Sequence, residues 1–272
     1  TVRRWCSAVK GGRLALAAAN AASQCTLAIS DVRDGDWRAL ASGPTVADDT
    51  AIADCRAVLD RFALWPALPA ALRTRIERTE VPPPLRPGDE LARRTEFLLV
   101  QGNADARTAL RRHAEAAGML VAEDQSVDDL PYGLAAERLL ARLDELRAEH
   151  RGRAVAVLTG GEVTVQLPSN AGVGGRNQQF ALECARRIAG CPISVLSAGT
   201  DGVDGTAPAA GAVADGTTLA RARALGLDVE DHLRRFDAHP LFDALGDSVT
   251  TGPTGQNVRD LRLLVHEASP RP

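Results

Sequence analysis

The stretch "CPISVLSAGTDGVDGTAPAAG" (191–211) joins an apolar run to a loop that holds two carboxylates, Asp201 and Asp204, among four glycines. The run is apolar and ends at Gly199, so it reads as a buried strand, "ISVLSAG" (193–199). A solvent loop has little use for so many glycines. Backbone that must turn tightly, or approach a ligand closely, does.

Outward from this segment the same pattern recurs. "EFLLVQG" (96–102), "MLVAED" (119–124) and "RAVAVLTGGE" (153–162) read as strands, and "VTVQLP" (163–168) as a further, alternating one. Between them "ADARTALRRHAEAAG" (104–118), "LAAERLLARLDELRAEH" (134–150), a helix from about Asn177 and "TTLARARALG" (217–226) carry helical patterns; "LRLLVH" (261–266) is the last strand. Strands alternating with helices predict an α/β protein with mostly parallel, Rossmann-like sheets covered on both faces. Upstream, "GGRLALAAANAA" (11–22) predicts a short helix, "CTLAIS" (25–30) a buried strand, and 51–63 and 67–78 helices. "VPPPLRPGDE" (81–90) predicts a linker. The expected division is a first α/β domain with its linker over 1–93 and a second over 94–272, with the active-site cleft between them.

Composition excludes several classes. A net charge of -3 over 272 residues carries no basic surplus for a nucleic-acid partner. Lys10 is the sole lysine, so arginine carries nearly all positive charge. The five cysteines form no C-x-x-C pair, which argues against a zinc ribbon or a disulfide framework and fits a cytoplasmic protein. No apolar run approaches the roughly 18 residues of a membrane span. The expected partner is a small molecule, and the sequence leaves a homo-oligomer open.

In open parallel sheets, ligands bind beyond the carboxyl ends of strands. Three glycine-rich loops leave strands in that way. "LTGGE" offers Gly160, Gly161 and Glu162. "NAGVGGRNQQF" (170–180) offers Gly174, Gly175, Arg176 and Asn177 at a helix start, a combination suited to an anion. It matches neither the P-loop pattern nor the dinucleotide fingerprint, because Asn177 stands where a third glycine belongs. Around Gly202, Asp201 and Asp204 can hold magnesium or orient a hydroxyl, although Asp and Gly are also ordinary turn formers.

"GGRNQQFAL", "AGTDGVDG", "AGAVADGTTLARARALGLD" and "VTTGPTGQNVRDLRLLV" resemble, in order and spacing, the MOFRL region of the class II glycerate kinases. That region is expected over about 153–268. Upstream, "TVRRWCSAVKGGRLA", "LAISDV" and "ASGPTVADDT" resemble further motifs of that family, so the similarity covers nearly the whole chain. The resemblance implies Mg-dependent transfer of the γ-phosphate of ATP to D-glycerate, by a family also labelled hydroxypyruvate reductase. It implies catalytic roles for Arg176, Asp201, Asp31 and Lys10, and nucleotide contacts at Gly160, Gly161, Glu162, Gly174, Gly175, Asn177 and Gly202. Substrate contacts fall to Arg3, Ser42, Asp204 and Asp237, and magnesium to Asp201 and Asp204.

The departures bear on substrate choice. Trp5 stands where the family has histidine, Gln179 where an acidic residue is common, and His239 where tyrosine is usual. Neither the family's Gly-Lys-Ala segment nor its Gly-Gly-Gly-Ser loop occurs, which with the absent initiator methionine leads us to expect a fragment, a processed chain or an incompletely covered one. The alternatives are a non-catalytic nucleotide- or hydroxy-acid-binding fragment and, less favoured because no dinucleotide fingerprint is present, a hydroxypyruvate reductase.

Overall fold

The computed structural model describes residues 1–268, and the chain divides into two compact units, 1–100 and 101–272. The first unit holds α1 (Val2–Trp5), α2 (Arg13–Ala17), β1 (Gln24–Ile29), α3 (Ile52–Arg61), α4 (Ala70–Glu77), α5 (Glu90–Arg94) and β2 (Thr95–Gln101). Its core is small: Trp5, Cys55, Leu59 and Ile76 pack together, and Ala15, Leu85 and Leu91 form a second cluster.

Three expectations change here. β1 pairs only with β2, so "EFLLVQG" closes the first unit instead of opening the second. A two-stranded sheet leaves much of its side-chain surface uncovered; Leu27 is 69% exposed, and β1 is not the buried strand expected. The proline-rich 81–90 is packed, not a linker: Leu85 is 1% exposed, donates its N–H to the Gly11 carbonyl at 3.1 Å, and accepts from Asp48 N at 2.8 Å. Proline prevented a helix there but left the carbonyls free to accept, and Arg13 donates to Pro82 O at 2.5 Å. The helix expected over 11–22 forms only at α2, because the following alanine-asparagine stretch is exposed and has no apolar face to bury.

The second unit continues with α6 (Asn103–Ala116), β3 (Leu120–Glu123), α7 (Tyr132–Glu149), β4 (Val155–Gly160), α8 (Arg176–Arg187), β5 (Ile193–Gly199) and β6 (Gly211–Asp215). After β6 come α9 (Thr218–Ala224), α10 (Val229–Arg235), α11 (Ala238–Leu245), β7 (Ser248–Val249) and β8 (Asp260–His266). The sheet order is β3-β4-β8-β5-β6-β7. Only β3 and β4 pair in parallel; β4–β8, β8–β5, β5–β6 and β6–β7 are antiparallel. The α/β class holds, and the sheet is mixed instead of mostly parallel. The reason is topological. β3, β4 and β5 run in one direction, as helical crossovers require, but β8 returns and slots between β4 and β5.

"VTVQLP" is not a strand; Thr164 makes a single bridge to Pro131, and no further neighbour extends the ladder. β4 is buried at every position, whereas β5 and β8 alternate buried and half-buried, so one sheet face is only partly covered. On the covered face α7 and α8 pack with Val155, Val157, Val195 and Leu264 around Phe180. Small residues Ala181 and Ala185 let α8 lie also against β6 and α9–α11. Each fully buried Leu or Phe in such a core contributes about 1.5–3 kcal/mol.

Candidate functional site

β4 and β5 end at the same sheet edge, and β8 begins there: Gly160 pairs with Leu261 and Gly199 with Asp260. The amino end of α8 comes to the same edge, because a helix linking two strands of like direction must run back antiparallel to them. The glycine-rich loops after β4, before α8 and after β5 therefore converge without being near in sequence.

Arg176 is the first residue of α8 and is held by two carboxylates. Its Nε donates to Asp260 Oδ2 at 2.7 Å, and its Nη2 to Asp260 Oδ1 at 3.2 Å and to Glu162 Oε1 at 2.7 Å. Burial disfavours the charge, but the hydrogen bond and charge of Asp260 outweigh it and raise the guanidinium pKa further. Behind it Arg262, 0% exposed, donates to Asp260 Oδ2 at 3.1 Å, Gly161 O at 3.1 Å and Asn177 Oδ1 at 3.3 Å, and lies over the Phe180 ring. Burial pulls its pKa down, and Asp260 opposes that. Asp260 and Arg262 stand in "VRDLRLLV", whose match to the family was noted without assigning either residue. An arginine alternating with leucines in a strand was the available signal for an inward-facing charge.

A cavity of about 450 Å³ opens beside Arg176. Gly174, Gly175, Asp201, Val203 and Phe236 are among the residues that line it. The N–H groups of Gly175 and Arg176 and the Arg176 Nη1 have no hydrogen-bond partner among the described residues. Asp201 Oδ1 accepts from Val203 N at 3.1 Å, and its other carboxylate oxygen has no partner among the described residues.

Asp204, expected to hold metal or substrate, lines the same cavity, but both of its carboxylate oxygens are engaged by the start of α8. It is 2% exposed, and its carboxylate accepts from Asn177 N at 3.0 Å and Gln178 N at 2.8 Å, which caps α8 from a distant loop. The glycines follow from that packing: a Cβ on Gly175 would overlap the Asp204 carboxylate, and Gly202 adopts φ +86° with a Cβ position blocked by the Gly252 carbonyl. Asn177 also lines the cavity, and its side-chain oxygen accepts from Ser197 Oγ at 2.7 Å. That leaves Asp201 as the cavity carboxylate with an oxygen unpartnered among the described residues. Among the described residues no three His, Cys, Asp or Glu side chains gather in a metal-ligating group. A single carboxylate still fits an ion that keeps most of its shell as water and phosphate oxygen.

Burial pushes the Asp204 carboxyl up to about 6 despite the amide donors. Ordinary aspartate titrates near 3.9, so between about pH 4 and 6 the folded protein holds this proton more tightly than the unfolded chain. Stability from this group is present below pH 4 and is lost as pH rises to about 6, on the order of 3 kcal/mol. Urea midpoints of wild type and Asp204→Asn across pH 4–7 check this. The variant should lack that part of the slope, and parallel curves would remove Asp204 as its source.

Gly160, Gly161 and Glu162 stand behind Arg176 and do not line the cavity, nor does Gly202. Asp237 lies outside it too; its carboxylate accepts from Val173 N at 2.8 Å and pairs with Arg235 at 3.1 Å, which fixes the loop before α8. His239 Nδ1 sits 3.1 Å from Gln178 Nε2. The remaining candidates belong to the first unit. Lys10 Nζ donates to Ala41 O at 2.8 Å, Ser42 is 5% exposed, and Arg3 and Asp31 are exposed.

Fold and site together define an α/β protein whose second unit brings a fixed guanidinium, unpartnered backbone amides and the Asp201 carboxylate to one cavity. The MOFRL family matches residues 155–260, and a domain of unknown function, DUF4147, matches 1–77. Glycerate 2-kinase of Pyrococcus horikoshii is 34% identical over 97% of this chain and 60% of its own length. A putative hydroxypyruvate reductase of Agrobacterium vitis is 38% identical over 97% and 60%, and a glycerate kinase of Macaca fascicularis 34% over 97% and 77%. The crystal structure of a glycerate kinase from Thermotoga maritima superimposes with a TM-score of 0.83 at 29% identity, over 97% of this chain and 62% of that one. The chain belongs to the MOFRL-containing class II glycerate kinase family. It spans about 60% of the length of the first two of these relatives. No helix among the described residues is long and apolar enough to cross a membrane.

Proposed function

We propose that this chain phosphorylates D-glycerate with ATP, and that its second unit handles the transferred phosphate. The carrying observation is Arg176: a guanidinium locked by Asp260 at a cavity edge, with Nη1 and two neighbouring amides open. Phosphoryl transfer asks mainly for positioning and for neutralisation of charge on the moving group. A planar donor fork fixed before the reaction supplies both. Val203 and Phe236 give the cavity an apolar side. Asp201 would hold magnesium, which supplies charge neutralisation on the phosphates. Asp201 is also the group in this cavity able to accept the proton of an attacking hydroxyl. Lys10, Asp31, Arg3 and Ser42 are proposed as further contributors on the strength of the family resemblance.

ADP release from Mg·ATP by the full chain, with and without D-glycerate, tests this reading. Glycerate-dependent release that falls at least a hundredfold in Asp201→Asn is the expected result. A folded chain that binds ADP but releases none would favour the second reading, a nucleotide-binding piece of such a kinase.

A further inference from the structure

The Arg176 guanidinium has five N–H bonds to give. Asp260 takes the Nε hydrogen and one from Nη2, the side-on pairing, and Glu162 takes the other Nη2 hydrogen at 2.7 Å. Only the two hydrogens on Nη1 remain. An oxyanion that binds the end of the fork through both nitrogens needs one hydrogen from Nη1 and one from Nη2. The second of these is already held by Glu162.

The two carboxylates are not equivalent. Asp260 is 2% exposed, makes two bonds to Arg176, accepts a third from Arg262, and its carbonyl accepts from Asn103 Nδ2 at 3.1 Å. The Glu162 side chain is 32% exposed and makes one bond, although its backbone is anchored to Asp128 through its N–H at 2.9 Å and to Asp129 N through its carbonyl at 2.7 Å. Its side chain can swing while its backbone stays. Charge points the same way. Glu162 also adds a negative charge beside Arg176, which an entering anion must work against while Glu162 stays in place.

We propose that Glu162 is an internal stand-in for the ligand's oxyanion: it occupies the Nη2 half of the Arg176 fork in the empty site and is displaced when a phosphate binds, while Asp260 stays. This rests on the reading that a phosphate binds at Arg176, and it makes Glu162 a residue that sets anion affinity, without contact to the reacting atoms. Freeing the fork of this partly buried, charge-assisted bond should tighten anion binding by about tenfold, which corresponds to about 1.4 kcal/mol.

The test is calorimetric titration of the full-length chain with magnesium-free pyrophosphate and with ADP, for wild type, Glu162→Gln and Glu162→Ala, with glycerate-dependent ADP release measured on the same samples. Both variants should bind both ligands about tenfold more tightly than wild type, and the alanine form covers the case in which the glutamine form does not fold. Affinity equal to or weaker than wild type in a variant that melts like wild type overturns the proposal, as does pyrophosphate that binds none of the three. Tighter pyrophosphate binding without glycerate-dependent ADP release leaves the displacement standing and removes the kinase assignment. Glycerate-dependent release without tighter binding does the reverse.

Discussion

Replacement of Asp260 by alanine is expected to lower the unfolding free energy of the second unit by about 3–5 kcal/mol. The carboxylate is 2% exposed and lies between Arg176 and Arg262, which it contacts at 2.7 and 3.1 Å. Removing it leaves Arg262 charged, 0% exposed and held by only two neutral acceptors. No water replaces the lost partner at such depth, so the full desolvation cost appears. A surface pair sets the scale for comparison. Arg142 and Glu145 also meet at 3.0 Å, but with side chains 34% and 64% exposed, and Glu145→Gln should cost well under about 1 kcal/mol. Urea denaturation followed by far-ultraviolet circular dichroism measures both. Equal, small losses would mean that Arg262 finds water or another acceptor, and that the buried network is not what holds this sheet edge.

The second large effect concerns turnover. Arg176→Lys should lower glycerate-dependent ADP release by roughly 10³, in the range seen when a transition-state arginine is lost. Lysine keeps the charge but not the geometry. One ammonium cannot pair side-on with Asp260 and also present a planar pair of donors to a phosphate. Much of its charge would be drawn to Asp260 and Glu162, which stand where the guanidinium stood. The drop should fall chiefly on kcat, since charge stabilisation matters most as the phosphate moves. A lysine variant with unchanged kcat and a higher KM would make Arg176 a binding group only. The prediction is separable from the stability effect above, because Asp260 and its pair with Arg262 survive the change.

The two effects share a cause in the topology. β8 enters the sheet between β4 and β5, and its first residue, Asp260, thereby lands beneath the start of α8. The same insertion makes the sheet mixed and brings Arg262 inward onto Phe180. The carboxylate that fixes the site arginine is thus 84 residues away from it in the chain.

What the sequence by itself determined is local. The apolar runs at 155–160 and 193–199 form strands, "ARTALRRHAEA" and "LAAERLLARLDELRAE" form helices, and the glycines before Arg176 start α8 where the pattern changes period. These follow from side-chain spacing and backbone freedom, which act over a few residues. Arg176 and Asp201 were legible as site candidates because a cation at a helix start is unfavourable on its own and a carboxylate in a glycine-rich loop beyond a strand lies where open α/β sheets bind ligands. Tertiary structure alone decided the rest: the place of β8, the packing of the proline-rich 81–90, the linking role of Asp260, and the fate of Asp204. An aspartate in a glycine-rich loop can ligate a metal, orient a hydroxyl or cap a helix with equal chemical ease. Which it does depends on whether free amide groups lie within about 3 Å of it, and at Asp204 they do, because α8 begins at that sheet edge.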